Sequence, residues 1–142
     1  MHLLVDGYSR VPERLEDADL IHRFLDEYPA AIGMNKISPP QVYTYRGRVE
    51  EDWGLSGFVL IAESHISVHT FPDRSFVNID IFSCKAFDAD ASLRQVEETF
   101  ALEEARVRSL ERGEDHATPR EAFRGMVRER VNLAPAHPPA DA

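Results

Sequence analysis

A single cysteine, Cys84, occurs among the 142 residues, so no disulfide can form within the chain and a disulfide-stapled secreted design is excluded. Basic residues are also scarce. The chain carries 16 Lys and Arg against 25 Asp and Glu, a formal net charge of −9. Holding nucleic acid by neutralising phosphates needs the opposite balance, so no nucleic-acid partner is expected. No apolar run approaches the roughly 20 residues a membrane-spanning helix requires. The opening MHLLVDGYSR has neither a basic leader nor a long apolar stretch, which reads against a signal peptide and a membrane partner. The expected setting is the reducing cytoplasm. Glycine-rich phosphate loops, GxSxG elbows and HExxH helices are missing too, and with them the common nucleotide, serine-hydrolase and zinc-protease signatures.

What is present suits one domain. With 43% hydrophobic residues the chain can fill a single modest core, expected over residues 1–132, with an Ala-Pro-rich tail over 133–142 expected to be disordered. Leu3, Leu4 and Val5 before Asp6-Gly7 predict an opening strand. Leu20, Ile21, Phe24, Leu25 and Tyr28 recur at helical spacing, with Asp17 or Asp19 as cap and Pro29 and Gly33 as stops. Val42, Tyr43 and Tyr45 predict a short β segment, followed by a charged surface loop from Arg46 to Asp52. Three strands follow, at Leu55 to Ala62, Ile66 to Phe71 and Phe76 to Cys84, the last two forming a hairpin. In the third, Val77, Ile79 and Ile81 share one face and Asn78, Asp80, Phe82 and Cys84 the other. Leu93, Val96 and Phe100 mark a second helix, Ala105 to Leu110 a further strand, and Thr118-Pro119 the start of a short helix through Val127. Grouped strands with helices between the groups predict an α+β, two-layer sandwich: an antiparallel β-sheet with helices packed on one face.

Chemistry-bearing residues concentrate in ESHISVHTFPD, Glu63 to Asp73, with Cys84 following. His65, His69 and Cys84 fit no common zinc spacing, so no metal is expected. A Cys–His pair can serve a thiol nucleophile, but that leaves the hydroxyl and acid groups unexplained. Residue by residue, a small buried cysteine and half-exposed strand histidines explain the same pattern.

The whole block carries more. GLSGFVLIAESHISVHTFPDRSFVNIDIFSCK, residues 54 to 85, resembles the prokaryotic S-adenosylmethionine decarboxylases, whose core runs GxSG, an apolar strand, ESHxxxHTWPE and DxFxC. The opening LLVDGY is similar to that family's first strand. The resemblance implies a proenzyme that cleaves itself at Glu63-Ser64 into chains 1–63 and 64–142, leaving a pyruvoyl group derived from Ser64 as the cofactor. Ser56 and His69 would then be processing residues, stabilising an oxyanion and moving a proton. The pyruvoyl ketone would take the small-molecule substrate as a Schiff base, with Cys84 as proton donor. Trp53, Phe71 and Asp73 are the candidate substrate-binding residues, and a homodimer of cleaved protomers is the implied assembly. Phe71, Asp73 and Ser83-Cys84-Lys85 stand where the family usually has Trp, Glu and TCG. That leaves a pyruvoyl-dependent arginine or ornithine decarboxylase as the alternative, and an uncleaved regulatory homologue as a third reading. The three roles given to Ser64, His69 and Cys84 carry a geometric demand, because Ser64 and His69 fall on opposite faces of a regular strand. An irregular backbone near 63–65 is therefore expected.

Overall fold

The structure, a computed structural model, describes residues 1–112; the expected short helix over 118–127 and the tail over 133–142 lie outside the described residues. The strands are β1 (His2–Ser9), β2 (Gln41–Arg46), β3 (Trp53–Ile61), β4 (Ser64–Phe71), β5 (Phe76–Ser83) and β6 (Leu102–Leu110); the helices are α1 (Ala18–Ala31) and α2 (Ala89–Phe100). They form one six-stranded sheet in the order β2-β3-β4-β5-β1-β6, every neighbouring pair antiparallel. Both helices cover the same face. This is the α+β sandwich the strand grouping predicts, and β4 and β5 form the expected hairpin.

The period-2 pattern decides which face is covered. Leu3 and Val5, Val59 and Ile61, Ile66 and Val68, and Val77, Ile79 and Ile81 are all buried, facing Ile21, Phe24, Leu25 and Tyr28 of α1 and Val96 and Phe100 of α2. Each such side chain contributes roughly 1.5–3 kcal/mol of transfer free energy. Phe24 stacks on Tyr28 with centroids 4.5 Å apart and meets Phe100 edge-on at 5.0 Å. Tyr28 donates its hydroxyl to the Ser92 carbonyl at 3.1 Å, which spares the core an unpaired polar group; burial pushes that hydroxyl's pKa up to about 12.

Local chemistry sets the element ends. Asp17 caps α1 by accepting the Leu20 N–H at 2.8 Å, and Asp88 caps α2 by accepting from Ala91 at 2.9 Å, the arrangement expected of Asp at an N-cap. Pro29 does not stop α1; it sits inside the last turn. Its fixed φ suits a helix, and near the end the missing N–H removes only one ladder bond. Gly33, at φ 75°, ends the turn. Arg46 belongs to β2 rather than to the loop, and β6 begins at Leu102, three residues before the expected Ala105.

Two glycines let elements approach closely. A Cβ at Gly57 would come within 2.8 Å of Leu25 Cδ1, so its absence admits α1 against β3. At Gly54 the Cβ would stand 1.8 Å from the Thr70 carbonyl oxygen, where Thr70 Oγ1 accepts the Leu55 N–H at 2.9 Å. Gly54→Ala forces two backbones apart, an overpacking change that costs on the order of 1–3 kcal/mol or more. The expected result is a Tm lower by about 5–20 °C for a domain of this size, read by circular dichroism on heating. A Tm unchanged within error would mean that β3 shifts freely here.

Candidate active site

The face not covered by helices is lined mainly with polar side chains, with Phe58, Leu60, Phe82 and Leu4 among them. Ser56, Phe58 and Leu60 of β3 pair across to His69, Ser67 and His65 of β4. His69, Ser67 and His65 in turn pair with Asn78, Asp80 and Phe82 of β5, and these with Asp6, Leu4 and His2 of β1. Paired residues of an antiparallel ladder point to the same side, so all of them share this open face. Its middle is held by short polar contacts: Asn78 Nδ2 donates to Asp6 Oδ1 at 2.6 Å, and His2 Nε2 lies 3.1 Å from Asp80 Oδ1.

At one end of the sheet, at the edge of this face, lies the Glu63-Ser64 bond; Ser64 itself pairs with Ile61 and Ser83. Ala62 and Glu63 form the turn between β3 and β4, with Ile61 opposite Ser64. The Glu63 carbonyl oxygen accepts the backbone N–H of Cys84 at 3.0 Å. A donor fixed at a carbonyl oxygen polarises that carbonyl and stabilises charge that develops on it. The Ser64 hydroxyl lies 3.2 Å from His65 Nδ1. Glu63 is further held by Asn35, whose N–H donates to its Oε2 at 3.3 Å, while the Asn35 carbonyl accepts the Ala62 N–H at 2.8 Å. Lys36 of the same segment bridges Ile61 and pairs with Asp26 of α1. The Lys36 ammonium holds the Asp26 carboxyl below the usual carboxylate range, chiefly through their hydrogen bond.

The turn bearing Cys84 is equally anchored. Buried Ser83 donates its hydroxyl to the Lys85 carbonyl at 2.8 Å and accepts the Lys85 N–H at 2.9 Å. The Lys85 ammonium reaches back to the Gly33 carbonyl at 2.8 Å, and the chain's amino terminus donates to the Ser83 carbonyl at 2.8 Å. Cys84 itself is exposed, its thiol free.

The other end of the face contains Ser56 and His69, directly opposite one another and joined by a 3.0 Å hydrogen bond between Oγ and Nδ1. Phe71 lies nearby, 5.9 Å from Phe76, which is 5.1 Å from Tyr8; exposed Asp73 follows in a short 3₁₀ turn. Trp53, at the start of β3, has the Arg46 guanidinium 5.6 Å from its ring centroid. The predicted residues therefore fall into two groups. Glu63, Ser64 and Cys84 are together; Ser56, His69, Phe71 and Asp73 are at the far end. Ser64 and His69 are five positions apart along β4, about 16 Å at the rise of an extended chain.

The irregularity expected near 63–65 does not take the form of a bulge, because β4 keeps its register with β3 and β5 from Ser64 onward. The departure is at Ser64 itself, whose φ is 159° and whose hydroxyl lies against the imidazole of the next residue. His65, weighed from the sequence only as a metal ligand or a strand histidine, is the residue the structure brings against Ser64. Among the described residues no group of three or more His, Cys, Asp or Glu is arranged to hold a metal ion, and no helix is long and apolar enough to cross a membrane.

Comparison with known proteins gives a consistent set of relatives. The family model described as S-adenosylmethionine decarboxylase matches residues 1–113. An S-adenosylmethionine decarboxylase proenzyme of Clostridium botulinum (strain Langeland) is 28% identical over 113 residues, covering 79% of this chain and 92% of that one. One from Pyrococcus abyssi is 30% identical over 113 residues, covering 79% and 77%. Among solved structures, the adenosylmethionine decarboxylase of Aquifex aeolicus superposes with a TM-score of 0.65 at 25% identity, covering 79% of this chain and 88% of that one.

Proposed function

Because this chain belongs to the S-adenosylmethionine decarboxylase family, we propose that the two ends of its open face are two halves of one site that first cleaves the chain and then decarboxylates S-adenosylmethionine. The protein is a decarboxylase, and its product is the aminopropyl donor for spermidine synthesis. The arginine or ornithine alternative is not favoured, since the relatives carry the S-adenosylmethionine decarboxylase name. Nor is an uncleaved regulatory role, because the relatives are proenzymes and Ser56, Ser64, His69 and Cys84 are all present here. A cytoplasmic setting remains part of this reading.

Cleavage begins at the Glu63 carbonyl. The Ser64 hydroxyl attacks it, and the Cys84 N–H, already 3.0 Å from the carbonyl oxygen, holds the charge that builds there. The donor set fits formation of a pyruvoyl group from Ser64, since the Ser64 hydroxyl adjoins an amide whose carbonyl oxygen is polarised by the Cys84 N–H, and the free thiol belongs to that same residue. When formed, that group supplies an electron sink for decarboxylation, the work pyridoxal phosphate does elsewhere. Cys84 holds the proton to be returned to the substrate's α-carbon, a role suited to an exposed thiol next to the reacting position.

The observation that carries the proposal is the separation of Ser64 from Ser56 and His69 by about 16 Å of strand. A second copy resolves it. Two-fold pairing of open faces, with the axis across the strands, sets one end of each sheet over the opposite end of its partner, and a two-fold interface is self-complementary. The face suits such burial: it exposes apolar side chains of the kind an interface covers, Phe58 at 40%, Leu60 at 42% and Tyr8 at 49%. In that dimer Ser56 and His69 of one copy move the proton required for β-elimination at Ser64 of the other. Phe71 and Asp73 arrive with them to contact substrate, and Trp53 offers the ring face that Arg46 does not occupy.

Mixed dimers test this. Chains carrying Ser64→Ala and chains carrying His69→Ala, each distinguishable by mass, should process poorly alone; co-expressed, the His69→Ala chain should be cut, because its Ser64 meets an intact His69 on the partner. If co-expression restores nothing while both chains pair, the site lies within one chain and the shared arrangement is wrong.

A further inference from the structure

The contact between Ser64 and His65 has no part in the reading above, and we infer that His65 is the general base for the first step of self-cleavage, the N-to-O acyl shift at Glu63-Ser64. This rests on the reading that the chain is a self-cleaving proenzyme, and adds a residue and a division of labour to it.

Three groups needed for the shift already stand together within one chain. The nucleophile is Ser64 Oγ. The base is His65 Nδ1, 3.2 Å away, an acceptor when the neutral ring carries its proton on Nε2. The oxyanion donor is the Cys84 N–H, 3.0 Å from the Glu63 oxygen. Nucleophile, base and donor at such distances are the arrangement an acyl transfer requires. His69 lacks this position: its Nδ1 is engaged by Ser56 at 3.0 Å, at the far end of the strand.

The imidazole is also held in place. His65 packs edge-on against Phe82 with centroids 5.7 Å apart, and Phe82 is backed by His2 at 5.3 Å and by the Arg112 guanidinium 4.2 Å from its centroid. A base fixed by its neighbours loses little freedom when it acts.

The step balances without a co-reactant. The bond from Ser64 Oγ to the Glu63 carbonyl carbon forms as the hydroxyl proton passes to His65 Nδ1. The bond from that carbon to the Ser64 nitrogen then breaks, and the proton moves from the imidazole to the departing amine. An amide has become an ester, with nothing added or lost. The shift is thus completed within one copy, and only the later β-elimination calls on His69 of the second.

The experiment is a processing time course after cell-free translation of the full chain, read by denatured intact mass with and without hydroxylamine, which cuts esters but spares amides. His69→Ala is expected to stall at the ester and to be cut by hydroxylamine. His65→Phe, which keeps a ring against Phe82, is expected to stay an amide resistant to hydroxylamine. Its processing should slow by roughly 10²- to 10⁴-fold, the usual worth of a general base. His65→Ala should be slowed alike and regain part of its rate with added imidazole. Processing of both His65 variants at the parent rate, or accumulation of hydroxylamine-sensitive ester in either, overturns the assignment while leaving the proenzyme reading intact. A parent chain that never divides at Ser64 removes the reading itself.

Discussion

Ser64→Ala is expected to yield a single uncut chain with no detectable release of carbon dioxide from S-adenosylmethionine. The substitution deletes one oxygen, the atom that both attacks the Glu63 carbonyl and becomes the site of the electron sink. No neighbouring group replaces it, because the next hydroxyls along β4 are at Ser67, three residues on, and at Thr70, which is occupied with Leu55. The loss should therefore be complete, unlike the partial losses that follow removal of a proton-transfer group. The fold should survive: Ser64 is at the mouth of a hairpin, outside the buried core, and Ala suits its ladder position. Denatured intact mass together with a thermal melt separates the two effects. Division of the Ser64→Ala chain at the same bond would show that another group performs the cleavage.

Cys84→Ala should have the opposite profile, with cleavage largely retained and turnover reduced by on the order of 10²-fold or more, the range for loss of a positioned acid. The reason is that Cys84 contributes to the two reactions through different atoms. Its N–H holds the Glu63 oxygen at 3.0 Å, and alanine keeps that N–H. Its thiol is exposed and available to a substrate. The turn is set by Ser83 and Lys85 rather than by the cysteine side chain, so the backbone donor should stay where it is. Intact mass gives the extent of cleavage and carbon dioxide release gives turnover. If Cys84→Ala remains uncut, the thiol rather than the amide serves self-processing.

Much of this architecture was legible in the sequence because alternation is a strong signal in half-buried strands. Val77, Ile79 and Ile81 announced both β5 and its covered face, and Asp17 announced the start of α1. The misjudged ends have local causes. Pro29 is read as a stop on propensity alone, yet its fixed φ is a helical one and the helix runs on through Ala31. Arg46 reads from composition as part of a charged loop, but β2 is an edge strand, where a charged residue is tolerated and protects the edge. For the site, spacing identifies the right residue types without saying how far apart the fold holds them. Ser56 and His69 are thirteen positions apart in sequence and bonded in space, whereas His69 is five from Ser64 and remote from it. The contact of His65 with Ser64 was hidden because neighbours on a strand ordinarily face apart, and the departure from that rule is at Ser64 itself.

The strand order β2-β3-β4-β5-β1-β6 has a consequence for what cleavage leaves behind. Residues 1–63 contain β1, β2 and β3, and the remainder contains β4, β5 and β6, yet β1 lies between β5 and β6 and β3 lies against β4. The two products are woven through one another like interlaced fingers. Pulling them apart means tearing three hydrogen-bonded seams and opening the core, so the cut protein should travel as one particle and come apart only when denatured. The interlacing also orders events: the shorter product made alone would have β1 with no flanking strands. Threading must therefore come before severing, and the intact chain is the thread.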